Sequence, residues 1–467
     1  MSVESPSAAL PVAGSARIQI DRALAACAAV FTALLATIQS GRIHPDEVYQ
    51  FLEPANRIAF HFGFPSWEWQ EGLRNWAVPA ALASGMKVVD VLGGTSPFAH
   101  RFGVAVVMAI CAYPGFRAVL AYAEKRTSSV LASRLALAVV VGWALSLYFL
   151  GRTLGEPMGA LFGVAGIAAL GEDERPFRSG LLAGLWLGLA FVVRYGFASL
   201  IVAAMAQALL ERRWRAIGGA VIAGGMVALL LGALDWASWG GPWHSVIAYM
   251  RFNLGDGAAR KFGSSPWWFY LELCKTWLPW PLLLGLPWLR IRLDRMLLPA
   301  AAYLYALSST AYKVDRFAFP VVLLATVALA PAFAEGFTLL WKRSRALQGV
   351  AAAGLLAFAG FSAWSYARLP DLESDLFKAT MKVGADPALK QLIIVNESRW
   401  GCGGSFYVGR DVNVLYTGPG YPGYRQAMAN PEVNRAVIFR KPSDQRDLEQ
   451  YGFHQVDAVG ETTILAR

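Results

Sequence analysis

The sequence predicts a polytopic α-helical membrane protein ending in a small α/β domain, and three observations lead there. Of 467 residues, 56% are hydrophobic and only 16% charged, where a soluble chain carries about 25% charged residues. Apolar runs of roughly 17 to 25 residues recur along the chain, the length a helix needs to cross a bilayer. Past residue 370 these runs give way to short β-branched stretches between turn formers, the pattern of buried strands.

Residues 1–16, rich in Ser, Ala and Pro, read as a disordered cytoplasmic lead. Arg17 and Arg22 precede the first apolar run without a cleavage site, so that run is expected to remain as an anchor. About eleven spans follow, at 21–40, 102–123, 134–150, 157–170, 179–193, 197–211, 216–234, 268–288, 296–311, 317–340 and 346–366. Basic connectors at 123–134, 172–178, 211–215, 290–295 and 342–345 belong on the cytoplasmic side. All five fall there only if 76–94, which contains Lys87 and Asp90, lies on the outer surface as amphipathic helix and does not cross.

The transmembrane domain is thus 17–366, with a first external loop at 41–101 and a second large one at 235–267. Residues 367–467 form an extracytoplasmic soluble α/β domain, where "LIIV" (392–395) and "AVIF" (436–439) read as buried parallel strands. The formal charge of +10 belongs to orientation, and no nucleic-acid partner is expected. Cys27, Cys111, Cys274 and Cys402 have neither disulfide nor zinc spacing. Asp46 and Glu47 could in principle hold a divalent ion, but one adjacent pair does not indicate a metal; no metal or other cofactor is expected.

Polar residues then gather on one side. His44, Asp46, Glu47, Gln50, Glu53, Trp67, Glu68, Trp69 and Arg74 lie in the first external loop. Arg152, Glu156, Arg194, Asp235, His244, Asn253, Trp267, Tyr270, Lys313 and Arg316 sit at span ends or in later loops that open the same way. Taken singly, an interfacial Trp is an anchor and a terminal Arg snorkels to headgroups. Together, carboxylates with several cations ringed by aromatics suit an anionic, amphipathic substrate and a base. A lipid-linked phosphosugar fits: cations for phosphate, rings for sugar faces, apolar spans for the lipid. A lipid-linked oligosaccharide flippase, or an O-antigen-type polymerase or ligase, is the alternative. A transporter, however, would place its polar residues near the midplane in paired halves.

The string "HPDEVYQFLEP…FGFPSWEW…LRNW" resembles the first luminal loop of the dolichyl-phosphate-mannose-dependent mannosyltransferases, glycosyltransferase family 22. Arg152-Thr153-Leu154 resembles that family's R-T-L-S-N segment. Asp235, Asn253 and Gly263-x-x-Pro266-Trp267-x-x-Tyr270 resemble a second segment, and Lys313, Arg316 and Phe317 resemble H-K-E-x-R-F. The likeness covers roughly 20–340. Gly155-Glu156 replaces the family's S-N, and Tyr312 and Val314 replace its His and Glu.

The resemblance implies a GT-C fold and inverting transfer of a sugar, mannose above all, from a polyprenyl-phosphate carrier to a glycan or glycolipid. It implies Asp46 as catalytic base, with Glu47 as a second catalytic acid, Glu47, Glu68 and Arg74 as shapers of the acceptor pocket, and Lys313, Arg316 and Arg194 as holders of the donor phosphate. Membrane lipids and these two substrates are the expected partners, and the chain is expected to be monomeric. The Ala/Gly/Arg-rich composition points to a bacterial chain, hence to the plasma (inner) membrane with the site facing the periplasm.

Overall fold

The computed structural model describes residues 10–255, 261–289, 294–370, 373–441 and 444–467. Residues 1–9 of the expected lead, 256–260 of the second external loop and 290–293 of one basic connector lie outside them.

The membrane part is a bundle of helices. Six are long and apolar enough to cross a bilayer: Ala16–Ile38, Pro97–Glu124, Pro176–Val193, Trp214–Trp239, Asp315–Trp341 and Arg345–Tyr366. Four shorter apolar helices join them, at Val130–Gly142, Gly155–Leu170, Tyr195–Leu210 and Leu297–Ser309. The chain is a multi-pass membrane protein.

Three expected elements come out differently. The first helix begins at Leu10, so part of the expected disordered lead is helical. About two turns in, Arg17 pairs with Asp21 four residues on and with Glu124 of a neighbouring helix. The expected span 134–150 breaks at Trp143, which is extended (ψ 137°) between helices Val130–Gly142 and Ala144–Phe149. The break is tolerable because Ser362 Oγ donates to the Gly142 carbonyl at 2.8 Å, replacing a lost helical bond in a medium with no water to do so. The expected span 268–288 is α-helical only over Phe269–Trp277. Pro279, Pro281 and Pro287 cannot donate helical bonds, and Trp280–Trp288 winds instead as tighter 3₁₀ turns.

Small residues bring two spans into close contact. A Cβ on Gly180 or Gly184 would lie 2.1 or 2.2 Å from the carbonyl oxygen of Ala216 or Ala220. This is a small-xxx-small contact between Pro176–Val193 and Trp214–Trp239, and it lets the two backbones touch.

One end of the bundle gathers the basic connectors. Lys125 pairs with Glu172 at 2.8 Å, Arg213 with Asp173 at 2.6 Å, Arg295 with Glu211 at 2.5 Å and Arg126 with Asp294 at 3.4 Å. The helix Ala77–Val91 belongs to the long loop between the first two spans. It packs on Pro97–Glu124 where Gly85 and Gly103 approach so closely that a Cβ on either would meet the other's backbone.

The C-terminal domain is a five-stranded sheet in the order β2-β1-β3-β5-β4. Its strands are β1 (Gln391–Val395), β2 (Val414–Tyr416), β3 (Val433–Phe439), β4 (His454–Val459) and β5 (Thr462–Ala466). β1 runs parallel to both β2 and β3, with Ile393 opposite Ala436 and Ile394 opposite Val437. The two apolar quartets read from the sequence are therefore neighbouring buried strands. In β1, Leu392 and Ile394 enter one apolar cluster, and Ile393 and Val395 the cluster on the other face. That explains a run with no polar alternation. The antiparallel β4–β5 pair closes the sheet.

Candidate active site

The long loop between the first two spans builds the site. After the break at 39–46, the chain winds a wide π-helical turn, Glu47–Leu52, all of it buried. Such widened turns occur at functional sites. Asp46 stands at its N-terminal end, and Gln50, four residues on, donates Nε2 to Asp46 Oδ2 at 2.5 Å. His44 Nδ1 lies 3.1 Å from Asp46 Oδ1. Arg316, in the short 3₁₀ turn that opens the span Asp315–Trp341, donates one Nη to Asp46 Oδ2 and the other to Glu156 Oε1. Arg194, where helix Pro176–Val193 ends, reaches the same Glu156 oxygen at 3.1 Å. Glu156 is fully buried in the first turn of helix Gly155–Leu170, where the positive end of the helix favours an anion. Both guanidiniums also lie over the Phe317 ring, at 4.3 and 4.8 Å. Burial alone would raise the Asp46 carboxyl, but the Arg316 guanidinium and then His44 outweigh it and hold it well below the usual carboxylate range.

His44, Asp46, Gln50, Arg194 and Arg316, but not the buried Glu156 that two of them grip, line a cavity of about 500 Å³. His44, Asp46, Gln50, Trp67, Glu68, Arg74, Arg194, Asn253 and Arg316, all read from the sequence, line it. Glu68 and Arg74 form a forked pair at 2.7 and 3.3 Å. Trp67 stacks on Phe262 and tilts against Phe252.

The other expected residues lie elsewhere. Glu47 turns from the cavity: Oε1 accepts the Ile43 N–H, and Oε2 faces Arg152 at 3.5 Å. Arg152 in turn holds the Gly41 carbonyl and Gln39. This pair shapes the loop that presents Asp46. Trp69 is buried behind it, donating Nε1 to the Tyr49 carbonyl at 3.0 Å. Lys313 donates to the Thr310 carbonyl, beside the cavity but not in its lining. Tyr270 is buried and accepts the Val314 N–H. Asp235 accepts the N–H and hydroxyl of Ser245 at 2.9 and 2.5 Å, in a chain continuing through Tyr195 to Asn75. His244 stacks on Trp239, and Trp267 is exposed.

Glu53 is fully buried and serves another purpose. Its two carboxylate oxygens accept the N–H of Phe64 at 2.8 Å and of Phe406 at 2.9 Å, joining the first loop to the C-terminal domain. Burial pushes its carboxyl up to about 7, against the pull of those N–H groups. The glycines of "GCGG" make room: Gly403 and Gly404 have φ of +81° and +65°, and a Cβ on Gly404 would sit 2.1 Å from the Glu53 carboxylate.

Sequence reasoning missed several lining residues: Tyr49, Tyr249, Phe252, Phe262, Tyr303 and Trp400. A second, apolar cavity of about 340 Å³ lies among helices Pro176–Val193, Ala198–Leu210 and Trp214–Trp239, with Val192 and Ala198 flanking the Arg194 segment. Among the described residues no group of three or more His, Cys, Asp or Glu could hold a metal ion.

Residues 23–372 match the Alg9-like mannosyltransferase family. The chain belongs to that family. Among relatives, it is 28% identical over 314 residues to GPI mannosyltransferase 3 of Yarrowia lipolytica, covering 62% of this chain and 58% of that protein. It is 24% identical over 300 residues to GPI alpha-1,2-mannosyltransferase 3 of Xenopus laevis, covering 60% and 54%. The chain thus aligns with little more than half the length of these family members. In fold it is similar to ArnT from Cupriavidus metallidurans solved bound to undecaprenyl phosphate, with a TM-score of 0.60 and 12% identity, over 96% of this chain and 97% of that one. The fold is that of the GT-C membrane glycosyltransferases. The family match stops at 372, just before the C-terminal domain.

Proposed function

We propose that this chain transfers a mannosyl group from a polyprenyl-phosphate carrier to a hydroxyl of a glycan or glycolipid, with inversion, on the extracytoplasmic side of a plasma (inner) membrane. The observation that carries the reading is Asp46, held in a large cavity by the guanidinium ladder Arg316–Glu156–Arg194. Family membership and the names of the mannosyltransferase relatives support the sugar; the fold neighbour that holds undecaprenyl phosphate supports the carrier.

In this reading the acceptor hydroxyl gives its proton to the Asp46 carboxylate as its oxygen attacks the anomeric carbon. The bond from that carbon to the phosphate oxygen breaks, and the electron pair leaves with the phosphate. Arg316 and Arg194 balance the charge that develops there, so the scheme assigns no step to a metal. The apolar cavity beside Arg194 takes a stretch of the lipid chain.

Without donor, Arg316 keeps Asp46 a poor base. A bound phosphate competes for that guanidinium, and each contact Arg316 gives up returns basicity to Asp46. In this reading base strength therefore rises when a carrier phosphate is bound.

The test is mannosyl transfer by the purified protein from a polyprenyl-phosphate-mannose donor. Asp46→Asn is expected to lower turnover by about 10²- to 10⁴-fold with donor binding retained and with no response to chelator in the wild type. Unaltered turnover in that variant would remove Asp46 as the base. Failure of the wild type to use any polyprenyl-phosphate sugar would remove the reading itself.

A further inference from the structure

The C-terminal domain lies beyond the family match, yet it forms part of the cavity wall. The contact comes from the loop after β1, at the carboxyl end of the parallel strands, where open α/β sheets place their binding sites. Trp400 in that loop lines the cavity together with His44 and Asp46. Its ring meets Tyr49 edge-on at 4.8 Å and Phe64 at 6.2 Å. Tyr49 is three residues from Asp46, inside the wide turn that Asp46 begins.

The loop is fastened from both sides. The Tyr49 hydroxyl donates to the Arg399 carbonyl. The Arg399 guanidinium lies 3.9 Å over the Phe64 ring. Glu53 grips the Phe406 N–H. An indole would not be held at this precision merely to cover a wall, because it remains 39% exposed. The donor's charged groups, on the reading above, belong to Arg194 and Arg316. Trp400 brings no charge. It offers a broad apolar face with little conformational freedom, the surface that meets the C–H face of a sugar ring.

We infer that Trp400 is the platform on which a sugar ring of the acceptor stacks, and that the Glu53–Phe406 tie positions it beside Asp46. This rests on the transferase reading and adds to it that the acceptor is recognised through a pyranose, by the domain that the family match omits.

The experiment uses the full chain in detergent, with polyprenyl-phosphate-mannose as donor and an alkyl α-mannoside as acceptor probe. Trp400→Ala should raise KM for the acceptor at least tenfold while KM for the donor stays within twofold. Trp400→Phe should recover most of the loss, and Glu53→Ala should raise acceptor KM in the same direction. Equal shifts in both KM values, or an acceptor KM within twofold of wild type, overturn the proposal. Direct binding of the mannoside to the Asp46→Asn protein, with and without Trp400→Ala, provides a second readout. Tenfold weaker binding without Trp400 supports the platform even if no transfer is ever seen, in which case only the transferase reading fails. Undiminished binding sinks the platform alone.

Discussion

Arg316 governs the charge balance of the cavity. It serves two carboxylates at once and is itself buried. Arg316→Ala leaves Asp46 and Glu156 short of a partner, and breaking a buried pair from one side costs about 3–5 kcal/mol. Thermal unfolding in detergent should register that loss. Arg316→Lys keeps the charge but not the fork; donor KM should rise at least about tenfold in kinetic assays. Glu53 makes a different prediction. Its carboxyl titrates near 4.5 in the unfolded chain and near 7 in the folded one. Between those values the native state holds a proton that the unfolded state has released, so stability falls as pH climbs through about 7. Glu53→Gln should flatten that part of the curve of unfolding temperature against pH, while a slope equal to wild type would refute the assignment. The Asp46 string was legible in the sequence because its members lie within one short loop. Trp400 was not: nothing near it in the sequence points to Asp46, and only folding brings Arg399 to Tyr49, 350 residues away.

At the scale of elements, composition located the spans well and described their interiors poorly. Hydropathy sees apolar length, and Trp143 or Trp280–Trp288 supplies that length whether or not the backbone is helical. The prolines at 279, 281 and 287 were the visible warning. Close helix packing went unread, although the small residues at 180, 184 and 188 on one side and 216 and 220 on the other carry it. Gly184→Leu must push Trp214–Trp239 away, since even a Cβ has no room beside Ala220. The expected cost is about 1–3 kcal/mol or more, measured as a lower unfolding temperature, whereas Gly218→Ala, with open space around it, should be tolerated. The C-terminal domain yielded β1 and β3 from sequence because strands buried on both faces are uniformly apolar. β4 is mostly exposed and mixed in character, so pattern alone did not reveal it.

For the whole molecule, the basic connectors meet at one end of the bundle. The cavity with Asp46, roofed in part by the C-terminal domain, opens among loops that leave the spans at their other ends. The positive-inside tendency then predicts an orientation that labelling can test. In a cysteine-free background, Glu174→Cys and Ser344→Cys should react with impermeant reagents from the cytoplasm only. Tyr421→Cys, on the exposed C-terminal surface, should react from the opposite compartment only; labelling of all three from one side would overturn the orientation.

The seam between the first loop and the last domain also has a bearing on biogenesis. Asp46 leaves the ribosome early, but its chamber lacks a wall until the tail has been made and folded against it. A half-synthesised chain would carry the acidic loop without the surface that frames a substrate. Completion of the chamber is thereby tied to completion of the chain.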